Sequence, residues 1–437
     1  MLGAVFVKNI KRLLYRTGSL GLSVIFLPIL FIFSAVARLK QADRNKPRLV
    51  WGSTAIINNS YWSRAMVKAG FNSETYTGDF FSTINKRQDW DRILPEEFPH
   101  VWWPIKPYFA FLTSLFRYDV FFLSFNGFFI GNTILRSCQA FLLKLADKKI
   151  IVIPYGSDSY VYRNIRSVGL LHGLLMSYPA ASMQQERILR DVQYWVKHAH
   201  AVLPGFMGPD GFGRWDALIP SQFMIDLQIW EASKRNSPSK GDNEDVVIVH
   251  APNHRGFKGT EFITQAVDQL RMQGLRVKLL LLEKIQNDEV RRILQEEADI
   301  LVEQIIFTGH AMNGLEGMAS GLPTISNLED ENYLMPMRRW SYFEECPLVS
   351  ATPENLIDVL GKLVTRPELR KQLGRAGREY VEKYHGYDSA QYLFTNVIDY
   401  VYGRKESLIN LYHPLLGEYP NRSPKIQHPL VNNRIPD

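Results

Sequence analysis

VVIVHAPNHRGFKGT (residues 246–260) and NGLEGMASGLPTIS (residues 313–326) decide the fold of this chain. Each marks a junction between an apolar strand and a following helix, and each supplies groups suited to an anionic, ribose-bearing ligand. At the first, the run Val246 to Val249 ends in Pro252, Asn253, His254, Arg255, Gly256 and Lys258, after which GTEFITQAVDQLRM has helical periodicity. Two cations therefore stand at the carboxyl end of a parallel strand beside a helix N-terminus. Open α/β sheets bind ligands there, and free N–H groups with the helix dipole favour phosphate. Arg forks two phosphate oxygens while Lys adds a compact charge, so Arg255 and Lys258 suit a diphosphate; the competing reading is a solvated loop. His254 either touches that phosphate or is solvated too.

At the second junction ADILVEQIIF reads as a strand, Gly309 and Asn313-Gly314 as a turn, and Leu315, Glu316, Met318 and Ala319 as the start of a short helix. Glu316 then falls in a first turn, where a carboxylate is electrostatically favoured. It either accepts both hydroxyls of a ribose or serves only as a capping charge. Gly317, Ala319, Ser320 and Gly321 let this helix pack closely before the strand LPTIS.

Taken in order, HAPNHRGFKGT, ADILVEQ, LEGMASGLPTIS and RPELRKQLGRAGREYVEKYHG resemble the nucleotide-sugar-binding domain of GT-B glycosyltransferases, specifically the retaining group 1, or family 4, enzymes, over residues 245–402. The resemblance implies an α/β chain of two Rossmann-like domains facing across a cleft. It implies catalytic roles for Arg255 and Lys258 on the donor pyrophosphate, Glu316 on the donor ribose, and backbone amides of Asn313, Gly314 and Leu315 on the phosphates. A nucleoside diphosphate sugar is then a partner, no metal or other cofactor is required, and the anomeric configuration is retained. The family pattern also carries a sugar-contacting Glu where this sequence has Thr308, and it sets its Arg and Lys further apart than Arg255 and Lys258.

A chain of 437 residues, 46% hydrophobic and 22% charged, has room for two domains and a tail of ordinary globular composition. Its net charge of +7 favours anionic partners. The Lys and Arg residues are dispersed and no nucleic-acid motif occurs, so a membrane surface or phosphorylated lipid fits better than nucleic acid. With only Cys138 and Cys346, a disulfide framework and a zinc cluster are excluded, and a reducing compartment is the simpler assumption.

Thr17 to Ala37 holds no charged residue and is long enough to span a bilayer. Lys8, Lys11, Arg12 and Arg16 precede it and Arg38, Lys40, Arg44 and Lys46 follow, so the positive-inside rule selects no orientation. Three readings stand: a spanning anchor, a helix lying in one leaflet, or a signal peptide cleaved after Ala35-Val36-Ala37. An enzyme that uses nucleotide sugars works beside its donor, which places membrane-associated catalytic domains on the cytoplasmic side.

The organisation expected is an anchor (1–47), a Rossmann-like acceptor domain (48–220), a Rossmann-like donor domain with a helix crossing back (221–403) and an extended tail (404–437). Strands RLVWG, SETYTG, YDVFFLSF, KIIVIPYG and AHAVLPGF build the first sheet, and VVIVHAP, VKLLLLE, DILVEQI, LPTIS and PLVSA the second. Ala232 to Asp245 reads as an exposed connection. Asp158, in Gly156-Ser157-Asp158 at a strand end, either contacts an acceptor hydroxyl or caps a helix. Gly52, with Ser53 and Thr54, can approach the donor phosphate. Asp89-Trp90-Asp91 matches the D-x-D pattern of metal-dependent transferases but lacks a preceding apolar strand. In the aromatic run 101–129, YDVFFLSF reads as core, while Trp102, Trp103 and Tyr108 to Phe111 suit a bilayer face. The function expected is transfer of a sugar to a glycan or lipid-linked acceptor; the alternative is a non-catalytic, membrane-tethered nucleotide- or glycan-binding protein.

Overall fold

The computed structural model describes residues 2–40, 43–82, 85–233, 235, 237–422 and 424–436, with side chains from Leu20 onward except Pro209. The basic flank Lys8, Lys11, Arg12 and Arg16 therefore lies outside the described side chains, as do Lys234 and Asn236 of the expected connection. The chain forms two compact units, one of residues 1–81, 86–158 and 189–202, the other of 82–85, 159–188 and 203–437.

The first unit is a parallel sheet of β1 (Leu49–Ser53), β2 (Ser73–Thr77), β3 (Arg92–Ile93), β4 (Val120–Leu123), β5 (Lys149–Val152) and β6 (Ala201–Val202), in the order β3-β2-β1-β4-β5-β6. Helices such as Ile57–Lys68 and Gln185–His198 connect the strands, so both faces are covered and the central strands read as unbroken apolar runs. Leu49, Val50, Trp51, Val120 and Phe121 are fully buried. The strand order reverses between β1 and β4, the switch point where doubly wound sheets bind ligands. β3 was not expected; two residues in a polar segment carry no alternation to detect.

The helix Leu2–Ala37 contains one apolar window, Leu20–Ala37, long enough to cross a membrane by length and composition. One side of it packs on the first unit. Phe26 stacks on Tyr108 at 4.6 Å, Phe31 meets Phe141 at 6.1 Å, and Ser23 Oγ bonds the Tyr108 hydroxyl at 2.7 Å. Val24, Ile25 and Ile32 on its other side are exposed.

The second unit is a parallel sheet of β7 (Val246–His250), β8 (Val277–Leu281), β9 (Ile300–Thr308), β10 (Thr324–Asn327) and β11 (Val349–Ser350), in the order β11-β10-β9-β7-β8. Val246, Ile248, Ile300, Val302, Ile325 and Val349 form its core with Ile263, Val267, Leu360 and Leu363 from the covering helices. Here the order reverses between β7 and β9, the two strands that lead into the junctions singled out in the sequence. β9 slips in register against β10 around Ser326, a bulge that lengthens it as far as Thr308. Two doubly wound parallel units are the α/β architecture expected, and they make this a GT-B fold.

Two stretches expected in the first domain, residues 159–188 and 203–220, belong to the second unit instead. In residues 159–188, Leu170 and Leu174 meet Phe257 and Phe307. The segment around Ala232 to Asp245 is fastened to the same unit: Arg235 pairs with Asp299 at 2.9 Å, and Arg370 donates to the carbonyls of Ser237 and Ser239 at 3.0 and 2.7 Å. The tail is likewise ordered on it, with Tyr419 stacked on Tyr392 at 4.3 Å and Asn433 Nδ2 donating to the Cys346 and Leu348 carbonyls.

Candidate functional site

The site of the second unit begins at His250, the last residue of β7. Its Nδ1 faces the Val302 carbonyl at 2.7 Å and its Nε2 the Thr260 hydroxyl at 2.9 Å, so it ties β7 to β9 and to the next helix. Burial holds its imidazole down to about 4, hence neutral. The loop then forms a single turn, Arg255–Lys258, closed by Gly259 at φ +80°, where a Cβ would meet Ile305 Cγ1 at 2.5 Å. Glycine is needed at this left-handed, crowded position, and it lets the chain enter the helix Thr260–Met272 directly.

That turn sends its two cations in opposite directions. Lys258 is 5% exposed; its Nζ donates to Gln304 Oε1 at 2.7 Å and pairs with Glu303 Oε1 at 3.4 Å. Arg255 is exposed and forks to Glu261 at 2.8 Å and Glu283 at 2.9 Å. Exposed pairs of that kind are weak, so Arg255 is readily recruited elsewhere, whereas breaking the buried Lys258 pair costs about 3–5 kcal/mol. His254 lies half-buried under the Tyr178 ring at 4.3 Å.

Glu303 organises the second junction. Its Oε1 accepts the Ala311 N–H at 2.8 Å, and its carboxylate lies against Gly314, where a Cβ would stand 2.3 Å from Oε2. A buried carboxylate on free amides starts a helix. The helix accordingly begins at Met312, and Asn313-Gly314, expected as a turn before it, form its first turn. Leu315 N–H already bonds the Ala311 carbonyl. Glu316 therefore sits further along the helix than expected, 7% exposed, accepting from Asn313 Nδ2 at 3.1 Å. Burial first, then Glu303, pushes its carboxyl up to about 7 against the Asn313 bond.

Thr308 ends β9, 5% exposed. It precedes Gly309 at φ +95°, whose missing Cβ admits the Phe206 ring. His310 is fully buried and neutral, its pKa held to about 4 by burial, and its ring lies 5.7 Å from that of His385. Among the described residues, His310 Nε2 and Asn313 Oδ1 have no hydrogen-bond partner.

The carboxyl ends of β7 and β9 thus gather Lys258, Glu303, Gln304, Asn313, Gly314 and Glu316 into one polar cluster, while Arg255 is turned to Glu261 and Glu283. Glu303 and Gln304 were not singled out from the sequence, yet the signal was present. An acid and an amide in the middle of ADILVEQIIF cannot lie in a doubly covered strand without partners. Chemically, the cluster is a cation and a helix N-terminus aimed at one negative group, beside an acid that titrates near neutrality.

The remaining sequence candidates lie in the first unit. Asp158 is 5% exposed, and its oxygens accept the N–H groups of Phe125, Tyr155 and Gly156 at 2.9, 3.0 and 3.1 Å. Burial lifts its carboxyl to about 6 even though these N–H groups favour the anion. It pins the loop after β5 to the end of β4. Gly52 lies in β1, where a Cβ would stand 2.0 Å from the Tyr76 carbonyl, so close strand approach accounts for it. Asp89 accepts the Lys86 N–H at 2.8 Å and Asp91 the Thr75 N–H at 2.7 Å, a local bracing role for the D-x-D pair. Among the described residues no group of three or more His, Cys, Asp or Glu is placed to hold a metal ion.

No protein-family model matches this chain, and no curated protein matches it. Solved structures do. Sucrose-phosphate synthase from Thermosynechococcus elongatus aligns over 82% of this chain and 100% of its own, at 12% identity and a TM-score of 0.48. WaaG, a glycosyltransferase involved in lipopolysaccharide biosynthesis, covers 81% of this chain and 99% of its own, at 12% identity and a TM-score of 0.38. The C-terminal domain of a glycosyl transferase group 1 family protein from Francisella tularensis covers 37% of this chain and 98% of its own, at 15% identity and a TM-score of 0.27. These are similarities; the fold is fixed by the chain's own two parallel sheets.

Proposed function

We propose that this chain is a membrane-associated glycosyltransferase, moving a sugar from a nucleoside diphosphate sugar to a lipid-linked or surface-polysaccharide acceptor without a metal and with retention of configuration. The observation that supports it is the convergence of Lys258, the amides of Asn313 and Gly314, and Glu316 at the switch point of the second sheet. In this reading the donor diphosphate takes the seat that the Glu303 carboxylate holds. Lys258 and the helix amides neutralise the charge that builds on the leaving diphosphate, where electrostatic stabilisation counts most. Arg255 leaves its exposed pairs to join them, His254 flanks the phosphates and Glu316 accepts the ribose hydroxyls. Leu315 supplies helix backbone, Thr308 faces the sugar, and Gly52 and Asp158 shape the strand ends of the first unit.

Membrane association is supported by the apolar outer side of the helix Leu20–Ala37 and by Trp102 and Trp103, 65% and 53% exposed. Because the helix is docked along one side, a helix lying in one leaflet suits it better than one crossing the bilayer. Use of nucleotide sugars places the catalytic units on the cytoplasmic side.

The test is a panel of UDP and GDP sugars offered to the purified chain, with release and transfer of the sugar followed. Turnover of at least one donor is expected, together with weaker nucleoside diphosphate binding in Arg255→Ala and in Glu316→Ala. Unchanged affinity in both variants would refute the site. A non-catalytic nucleotide- or glycan-binding protein is the second reading. Thr308 and the occupation of the anion seat by Glu303 favour it, and binding of a donor with no turnover of any would establish it.

A further inference from the structure

A cavity of about 220 Å³ opens in the second unit between residues 204–219 and the helix Glu331–Trp340, which follows β10. Trp215, Tyr333 and Met337 contribute its apolar wall, and Arg166, Asp210 and Asp330 its charge. Tyr333 is 9% exposed, and neither its hydroxyl nor Asp210 Oδ2 has a hydrogen-bond partner of normal geometry among the described residues, although the two groups are neighbours. The two groups face each other in a poor mutual bond, which a hydroxylated ligand would complete. Trp215 is 37% exposed where it lines the cavity, and Asp330 is fixed at its edge by accepting the Asn332 N–H at 3.1 Å.

These groups select among ligands. A lipid chain would suit Trp215 and Met337 but offer no polar partner to Arg166, Asp210 and Asp330. A bare anion would meet two carboxylates. A sugar ring satisfies all of them, with its C–H face on an aromatic ring and hydroxyls that both donate to carboxylates and accept from Tyr333 and Arg166. The cavity also belongs to the ligand-binding edge of the sheet. Phe206, from the same segment that lines it, packs on His310 at 5.8 Å and against Gly309, next to the sugar-facing Thr308.

We propose that this cavity is a pyranose subsite for the acceptor glycan, separate from the nucleotide cluster at β7 and β9. The word acceptor rests on the glycosyltransferase reading; the binding of a pyranose does not. The test is saturation-transfer NMR on the full chain with the methyl glycosides of glucose, galactose, mannose and N-acetylglucosamine, and in parallel with UDP and GDP sugars. Ring protons of at least one methyl glycoside should receive saturation that excess UDP and GDP leave in place. Trp215→Ala should weaken that binding about tenfold and the milder Tyr333→Phe about fivefold, with unaltered melting temperatures confirming that the variants fold. Saturation only in whole nucleotide sugars, displaced by UDP or GDP, would overturn the acceptor assignment. Silence from every probe, or binding unchanged in both variants, would overturn the subsite altogether. A thermal shift by UDP or GDP in the same samples would show the nucleotide reading still standing.

Discussion

Replacing Glu316 with Gln should make the protein more stable at pH 8 and a poorer binder of nucleoside diphosphate. Burial, with Glu303 close by, lifts the Glu316 carboxyl from an ordinary 4.5 to about 7. Between those values the folded chain holds a proton that the unfolded chain has released, so stability falls as pH rises through this window. At about 1.4 kcal/mol per pH unit, the ionised carboxylate costs about 3 kcal/mol by pH 8. Gln keeps the shape, and its N–H₂ has an acceptor waiting in Asn313 Oδ1. The difference in urea stability, variant minus wild type, should therefore grow from almost nothing at pH 4.5 to about 2–3 kcal/mol at pH 8. Only the difference is diagnostic, because His250, His310 and His385, held to about 4, 4 and 3 by burial, act the other way. Their unfolded forms take up protons below their ordinary 6.5, so the wild type also loses stability as pH falls toward 4. Calorimetric titration with UDP and GDP should show affinity about 10- to 100-fold weaker in the variant, since a hydrogen bond to a charged group is worth about 1.5–3 kcal/mol. A stability difference that is flat from pH 5 to 8, or nucleotide affinity equal to wild type, would refute the reasoning.

Lys258→Met strands the Glu303 carboxylate without its cation and should cost about 3–5 kcal/mol in urea unfolding, most of it recovered in the double variant with Glu303→Leu. A single-variant loss below 1 kcal/mol would mean that the pair is already hydrated. Gly314→Ala ordinarily stabilises a helix by about 1 kcal/mol, but here the added methyl meets Glu303 Oε2, so a loss of about 1–3 kcal/mol in the same assay is expected; a gain would show that the carboxylate moves freely. Val24→Glu combined with Ile25→Glu, both at exposed positions, should abolish sedimentation with phosphatidylglycerol vesicles while leaving the melting temperature unchanged. Continued sedimentation would shift the membrane contact to Trp102 and Trp103.

The fold was legible because a strand covered on both faces must be apolar throughout: VVIV, VFFL and KIIV announce themselves, and all three form the expected strands. The short edge strand β3 gives no such signal. The candidate site residues are visible in the sequence as residue types, but not the directions their side chains take. Arg255 and Lys258 are separated by less than one helical turn, so spacing alone assigns both to one face. Gly259 closes the turn so that one points into the core and the other into solvent. The start of the helix Met312–Ala319 was misplaced for a related reason. Asn-Gly is ordinarily a turn signal, and what overrides it is a carboxylate from the preceding strand, a tertiary contact beyond the reach of local propensity. The segment 159–188 was assigned to the first domain because it follows β5 in sequence, whereas its apolar residues are buried against Phe257 and Phe307.

On the transferase reading, Glu303 also sets the terms on which a donor enters. A helix N-terminus and one lysine make a seat for a single negative group, and the chain fills that seat with its own carboxylate. A diphosphate arriving beside an ionised Glu303 would face like-charge repulsion with only Lys258 to oppose it. Either Glu303 must take a proton, which its burial already favours, or it must swing away while Arg255 leaves Glu261 and Glu283 to supply a second cation. The second route requires Glu303 to give up its hold on the Ala311 N–H, whereas a protonated Glu303 can keep it through its carbonyl oxygen. On the transferase reading, that bond yields to phosphate when the donor binds; on the non-catalytic reading the chain keeps the fold, the helix cap and the buried pair. On the proposed transferase reading, the free energy of displacing this one carboxylate from its helix terminus is therefore part of what donor binding must overcome.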